Sequence, residues 1–205
     1  CRRYDGGPSL PRVRAKLETT RPHSPQAMKL LAFGASTSST SINRRLAVHV
    51  AGQVQDADVT ALDLRSYSLP IYSSDEEAAN GHPADARAFL DTIRDHDGIV
   101  LSLAEHNGSY AAAFKNLYDW ASRIEPKVWA DKPMLLMATS PGARGGATVL
   151  AAGEATFPRM GAQLAATFSL PKFNDNFSDG EGVRDAELRI SLEAAVAIFE
   201  DALSG

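Results

Sequence analysis

Cysteine is nearly missing from the chain. The one residue, Cys1, leaves no partner for an internal disulfide and fits a reducing, cytoplasmic setting. No apolar run approaches the roughly 18 to 20 residues that cross a bilayer, so no membrane span is expected. Excess basic charge is also lacking: the formal net charge is -4 and no basic face is clustered, which argues against a nucleic-acid partner. Internal repeats and long single-residue tracts are absent. Two phosphate-loop signatures are missing as well. No Gly and Lys stand at Walker offsets, and no Gly-x-Gly-x-x-Gly fingerprint is present. What is there, 44% hydrophobic and 22% charged residues over 205 positions, suits one soluble globular domain with a well-buried core.

The first 27 residues differ from the rest. They hold four prolines and six Arg or Lys, with little periodicity and no apolar stretch of the secretory kind. Met28 follows, directly before an apolar run, where a start codon would be natural. The expectation is a disordered leader or start-site artefact over residues 1–27 and one domain over 28–205. A targeting role for the basic leader, or a lipid-modified Cys1, has no further signal behind it.

Leu30-Leu31-Ala32-Phe33 reads as a short buried strand. After Gly34 and Ala35 comes a run of hydroxyl side chains, Ser36 to Ser41, and then Ile42 and Asn43. Ile42, Leu46, Ala47, Val50 and Val54 recur at the spacing of an amphipathic helix. A strand, a hydroxyl-rich turn and a helix start place free amides and small donors together, which suits a phosphate. Ser36, Ser38, Ser39, Thr40, Ser41 and Asn43 can donate, with the backbone amides near Ile42 and Asn43. The plain alternative is an N-cap among turn residues, but one cap needs one such side chain. The loop favours a mononucleotide phosphate over a triphosphate or pyrophosphate.

Further strands are expected at Val59–Leu64, Gly98–Leu103, Lys132–Thr139 and Gln163–Phe168. Helices are expected from Pro83 through Ile93, from about Ser109 to Ile124, up to about Met160, and from Val183 to Leu203. Residues 65–83 read as a polar connection. Gly98–Leu103 is apolar almost throughout, as a central parallel strand covered on both sides would be. Five strands alternating with five helices argue an α/β domain, with its ligand at the carboxyl ends of the strands. The loops there are chemically unusual. Ala104-Glu105-His106-Asn107-Gly108-Ser109 reads as an Asn-Gly turn and a Ser109 cap, or as a platform edging a flat ligand. Ser140-Pro141-Gly142-Ala143-Arg144-Gly145-Gly146 holds three glycines in seven residues and allows close backbone approach to a heterocycle, or is a flexible turn. Arg144 is either a partner for a phosphate of a second nucleotide or a solvated charge.

Taken together, Ala35 to Asn43, Ala104 to Ser109, Lys115-Asn116-Leu117-Tyr118-Asp119-Trp120 and Ser140 to Gly146 resemble the motifs of the NADPH-dependent FMN reductase family, flavodoxin-like proteins that include quinone and chromate reductases. The resemblance runs from Met28 to at least Gly161. It implies a flavodoxin-like three-layer sandwich, a five-stranded parallel sheet of order 2-1-3-4-5 with helices on both faces. It implies FMN as cofactor, with its phosphate on Ser36, Ser38, Ser41, Ile42 and Asn43. The isoalloxazine ring would lie on Ala104, Glu105, His106 and Asn107 and on Ser140, Pro141, Gly142, Gly145 and Gly146. It also implies NADPH or NADH as cosubstrate and a small-molecule electron acceptor, with hydride passing through the flavin N5 and no protein acid or base required. Assembly as a homodimer or homotetramer follows, with Leu69-Pro70-Ile71-Tyr72 and the Asp119-Trp120 helix at an interface. Three positions depart from the pattern. Ser38 stands where the family has Arg, and Ala104 and His106 where it has Pro and Tyr. A flavodoxin-type electron carrier, or a module that kept the fold without the flavin, are the competing readings.

Overall fold

A computed structural model describes residues 27–205. The expectation for the leader therefore lies outside the described residues, apart from Ala27. In chain order the elements are β1 Met28–Ala35, α1 Ile42–Ala51, β2 Ala57–Ala61, α2 Ser74–Asn80, α3 Ala84–Arg94 and β3 Gly98–Leu103. Next come β4 Glu105–His106, β5 Ser109–Tyr110, α4 Ala112–Ile124, β6 Lys132–Thr139 and α5 Ala147–Thr156. The chain closes with β7 Ala162–Leu170, α6 Phe173–Asn176, β8 Phe177–Ser178, β9 Gly182–Val183 and α7 Ala186–Ser204.

Five strands form one parallel sheet in the order β2-β1-β3-β6-β7. Counting only those strands, this is the order 2-1-3-4-5 expected of a flavodoxin-like sandwich. Side chains alternate across the sheet, so β1 feeds two separate cores. Leu31, Phe33 and Ala35 face a cluster with Phe89 and Ile93 of α3, Phe114 and Leu117 of α4 and Val149 of α5. Leu30 and Ala32 face Leu46, Ala47 and Val50 of α1 and Leu192, Val196 and Phe199 of α7. Helices on both faces explain why the central strands read as unbroken apolar runs. Truncating a fully buried member such as Leu46 to Ala would cost about 2 to 5 kcal/mol.

Several boundaries differ from the sequence reading, each for a local reason. β2 lies earlier than expected, and Leu64 instead opens a 3-10 turn capped by Asp63. The polar connection contains a helix, α2, whose N-cap Ser73 accepts from the Glu76 amide (3.0 Å) with Asp75, Glu76 and Glu77 in its first turn. No residue of α2 is buried, so no apolar period betrayed it. Ser109 does not cap a helix. It pairs with His106 in a hairpin whose tip, Asn107 and Gly108, has φ of 53° and 75°, the pair of left-handed residues that a primed hairpin turn needs. α4 starts three residues later, at Ala112. α5 ends at Thr156 and the chain continues through a 3-10 turn to Met160. The Asn- and Phe-rich stretch after β7 folds into α6 and the small β8–β9 hairpin. Val183 is in β9, and α7 begins only after Asp185, whose carboxylate caps the Leu188 amide at 3.0 Å.

Candidate functional site

The loops after β1, β3 and β6 leave the same end of the sheet and meet around a cleft of about 300 Å³. The first loop lines it with Ser36, Ser38, Thr40, Ser41, Ile42 and Asn43, the second with Ala104, Glu105 and His106, and the third with Thr139, Ser140 and Pro141. Of the residues expected at a ligand, Asn107, Gly142, Gly145 and Gly146 do not line this cleft. Asn107 is at the hairpin tip, and the three glycines shape the third loop behind its wall.

The hydroxyl loop is ordered by its own side chains. The Ser38 amide donates to Ser36 Oγ (3.1 Å), the Thr40 amide to Ser38 Oγ (3.3 Å), and the Ser41 amide to the Ser38 carbonyl (3.2 Å). Ser41 Oγ caps α1 by accepting from the Arg44 amide at 3.1 Å. The Ser36 and Ser41 hydroxyls keep their protons to donate, and Ser38 Oγ lies 3.3 Å from Thr40 Oγ1, where either hydroxyl can be the donor. The first intrahelical bond runs from the Arg45 amide to the Ser41 carbonyl, so the Ile42 and Asn43 amides have no acceptor within the helix. Amides at a helix start together with nearby hydroxyls are what an anion requires.

Asn43 has a different job from the one its type suggested. Its side chain is buried and points into the fold. Its Oδ1 accepts from Ser102 Oγ (2.7 Å) at the end of β3 and from the Thr139 amide (3.1 Å) at the end of β6, while Nδ2 donates to the Thr139 carbonyl (3.2 Å). One amide side chain thus ties the start of α1 to both neighbouring strands, leaving its backbone N–H for a ligand. Thr139 Oγ1 extends the tie by donating to the Leu170 carbonyl at 2.7 Å. Gly34 permits this close seating, because a Cβ there would lie 2.3 Å from the Arg44 nitrogen.

The second and third loops are latched to each other. Glu105 Oε2 accepts from the Val149 amide at 3.0 Å, so this carboxylate serves the first turn of α5. The third loop is also held from β7's side: the Phe173 amide donates to the Ser140 carbonyl (3.1 Å) and the Lys172 amide to the Gly142 carbonyl (2.9 Å). Gly145, at φ 58°, leaves no room for a side chain, since a Cβ would sit 2.4 Å from Ser169 Oγ.

Beside the hydroxyl loop is a second, apolar cleft of about 270 Å³, walled by Thr37, Leu64, Tyr67, Leu69, Ile71 and Leu117. Its outer wall is a strap, residues 69–72, held by α4. Asn116 Nδ2 (2.9 Å) and Trp120 Nε1 (2.8 Å) both donate to the Pro70 carbonyl, and the Tyr72 amide donates to Asn116 Oδ1 (2.9 Å). That accounts for the Asn and Trp of the Lys-Asn-x-x-Asp-Trp motif, while Lys115 and Asp119 pair with each other along the helix. Trp120 is fully buried within the chain, so it cannot itself present an interface. Glu77 anchors the strap's far end through Tyr72, His82 and Arg123, and Arg123 draws its carboxyl pKa down.

Sequence reasoning missed Gly34, Ser102 and Thr139. Only Gly34 left a signal, a glycine closing an apolar strand just ahead of the loop. Among the described residues no group of His, Cys, Asp and Glu could hold a metal, and no helix is long and apolar enough to cross a membrane.

Residues 28–175 match the family described as NADPH-dependent FMN reductase. The chain belongs to that family. A quinone reductase of Escherichia coli (strain K12) is 38% identical over 79 residues, 38% of this chain and 42% of the relative. A 2-hydroxy-1,4-benzoquinone reductase of Burkholderia sp. is 35% identical over 120 residues, 58% of this chain and 64% of the relative. The chain thus matches less than two thirds of the length of either curated relative. Among solved structures, a flavoenzyme NAD(P)H:(acceptor) oxidoreductase from Paracoccus denitrificans superposes with a TM-score of 0.65 at 24% identity, covering 86% of this chain and 97% of that one. This likeness supports the fold. For a member of an FMN reductase family, the helix-start amides, the hydroxyl loop and the two latched loops are a fitting donor set for a flavin mononucleotide.

Proposed function

We propose that this chain is an FMN-dependent NAD(P)H oxidoreductase, passing a hydride from NAD(P)H through the flavin N5 to a quinone or another small acceptor. The observation that carries the reading is the single cleft, in a member of this family, where an anion-binding helix start meets two latched loops. The amides of Ile42 and Asn43 and the protons of Ser36, Ser38 and Ser41 are suited to hold the phosphate, the dipole contributing about 0.3 to 1 kcal/mol. Ala104, Glu105, His106, Ser140 and Pro141 would edge the ring, with Asn107, Gly142, Gly145 and Gly146 setting the backbone course of those walls. FMN, when bound, supplies a two-electron carrier that no side chain here offers. The protein's part is to orient the ring and leave one side open to the nicotinamide and the acceptor.

The working unit is residues 28–205, and a cytoplasmic location fits the single cysteine. A homodimer or homotetramer is the proposed assembly, in which a second copy covers the strap at Ile71, 81% exposed in the single chain. Light scattering checks that assembly. The function itself is tested by reconstituting with FMN, removing oxygen and adding NADPH. Loss of the flavin band and its return on adding a quinone are expected. Failure to retain FMN, or an oxidised spectrum that NADPH does not change, would refute the reading.

A further inference from the structure

The cleft between the three loops holds few groups that can exchange a proton. Among the residues lining it, only Glu105 and His106 carry a carboxyl or an imidazole, the groups that most often serve as acid or base. Glu105 is not free for the task, because its Oε2 accepts from the Val149 amide at 3.0 Å. His106 also differs from the other described histidines. The His49 ring is bonded to Gln53 Nε2 (3.1 Å), the His82 ring lies between Glu77 (3.1 Å) and Arg87 (3.3 Å), and His96 Nδ1 meets the Thr92 carbonyl at 2.7 Å. The His106 ring makes no hydrogen bond or ion pair among the described residues, yet it is exposed and lines the cleft. Its backbone is held all the same, since His106 pairs with Ser109 in the β4–β5 hairpin. Successive side chains of a strand point to opposite sides, so turning Glu105 towards α5 turns His106 away from it. The other titratable or charged groups around the hairpin do not line the cleft. Tyr110 on β5 has its hydroxyl 3.1 Å from Thr156 Oγ1, and Arg144 is bonded to Thr148 beside the Gly108 tip.

Hydride transfer needs no protein acid, but finishing the reduction of a quinone does. A hydride brings two electrons and one proton, which leaves the product a phenolate, one proton short of the hydroquinone. We propose that His106 is the catalytic acid that supplies this second proton to a quinone bound in the cleft. The imidazolium N–H bond breaks, an O–H bond forms on the phenolate oxygen, and the neutral imidazole takes its next proton from water, to which its exposure gives access. The inference rests on the oxidoreductase reading above and adds a role for one residue of the chain to it. Imidazole suits the role because it gives and takes a proton near neutrality. It also stands at one of the positions where this chain departs from the family pattern, His106 in place of Tyr, so the role belongs to this chain and not to the motif.

The test compares two acceptors on the FMN-loaded protein: a benzoquinone, which takes up protons, and ferricyanide, which takes electrons alone. The imidazolium is the donating form, so kcat/KM for the quinone should fall as pH rises through the His106 ionisation, while kcat at saturating ferricyanide should not follow that curve. His106→Gln keeps a polar side chain without a proton to give. It should lower kcat/KM for the quinone about a hundredfold at neutral pH and abolish its pH dependence. The loss with quinone should exceed the loss with ferricyanide at least about tenfold. Added imidazole should return part of the quinone turnover to His106→Ala. A readout apart from turnover comes from histidine ring NMR of the full chain, with the His106 signal identified by its absence in His106→Gln. That signal should move when FMN is added, and those of His82 and His96 should stay. Equal losses with the two acceptors, a quinone pH profile that survives in His106→Gln, or a His106 signal indifferent to bound FMN would each overturn the proposal. In those cases FMN is still retained and bleached by NADPH, so the oxidoreductase reading stands. Failure to retain or reduce FMN would overturn both.

Discussion

Replacing Asn43 with Ala should hurt the protein twice, through stability and through cofactor affinity. The side chain makes three buried hydrogen bonds, to Ser102 Oγ, the Thr139 amide and the Thr139 carbonyl. At about 1 kcal/mol each, their loss amounts to roughly 3 kcal/mol, more if the stranded Thr139 groups stay dry. That is a large part of the 5 to 15 kcal/mol typical of a domain. Urea unfolding without FMN should show the midpoint shifted and the slope unchanged. A double-mutant cycle sharpens the test: Ser102→Ala alone should cost about 1 kcal/mol, and close to nothing once Asn43 is Ala, because its acceptor is already gone. The helix start would also lose its tie to β6, and FMN affinity should weaken by about tenfold, equivalent to about 1.4 kcal/mol. Titrations with and without flavin separate this from stability, since ligand binding adds its own stabilisation. An Asn43→Ala protein within about 0.5 kcal/mol of wild type, or additive behaviour with Ser102→Ala, would refute the reasoning.

Other perturbations probe the same design. Gly34→Ala drives a Cβ against the Arg44 backbone nitrogen, so it should destabilise by about 1 to 3 kcal/mol and weaken FMN binding, as thermal melts and flavin titration would show. Ser38→Arg supplies a guanidinium at the cleft and should tighten FMN about ten- to hundredfold in a fluorescence titration; no change would mean that position 38 does not face the phosphate. Glu105→Ala removes the acceptor for the Val149 amide and should loosen the ring loops, lowering turnover more than FMN retention in steady-state kinetics and flavin titration, whereas Glu105→Gln keeps an acceptor and should recover most of the turnover. His49 is packed edge-on against Phe177, and burial lowers its pKa from 6.5 despite the opposing pull of Asp179. Its unfolded form therefore binds a proton first as pH falls below 6.5, so stability should be complete above that value and decline below it. His49→Gln should flatten the acid limb of a pH-dependent urea series.

The parts legible in the sequence were those with a repeating physical signal. β3 and β6 are covered on both faces and read as continuous apolar runs; α1 and α3 bury one face and show the helical period. The three loops stood out because their composition is odd for plain turns. What stayed hidden lacked either signal. α2 is held by its cap and first-turn acids and buries nothing. β4–β5 and β8–β9 are two-residue pairs, too short for a period of two to register. Gly34, Ser102 and Thr139 matter through contacts between distant segments, and Asn43 to Thr139 spans 96 positions. Residue type was misleading at Asn43 and Glu105 for one reason: a polar side chain beside a cleft can be used inward, to hold the wall, as readily as outward.

That inward use points to a division of labour in the cleft. The end proposed for the phosphate is built from backbone amides and short hydroxyls on a helix start that is bolted to β3 and β6, so it has few ways to adapt. The end proposed for the ring depends on a hairpin and a glycine loop joined by one carboxylate–amide bond and strapped to the segment after β7. Preorganised donors hold a charged group at little cost in ordering, whereas loops with few buried contacts open more readily. Phosphate-loop variants should therefore change how much FMN is retained, and ring-loop variants should change turnover with a given acceptor more than retention. Measuring flavin content and steady-state kinetics on Gly34→Ala beside Glu105→Ala checks this. If both variants lose flavin and turnover in the same proportion, the two ends of the cleft act as one unit.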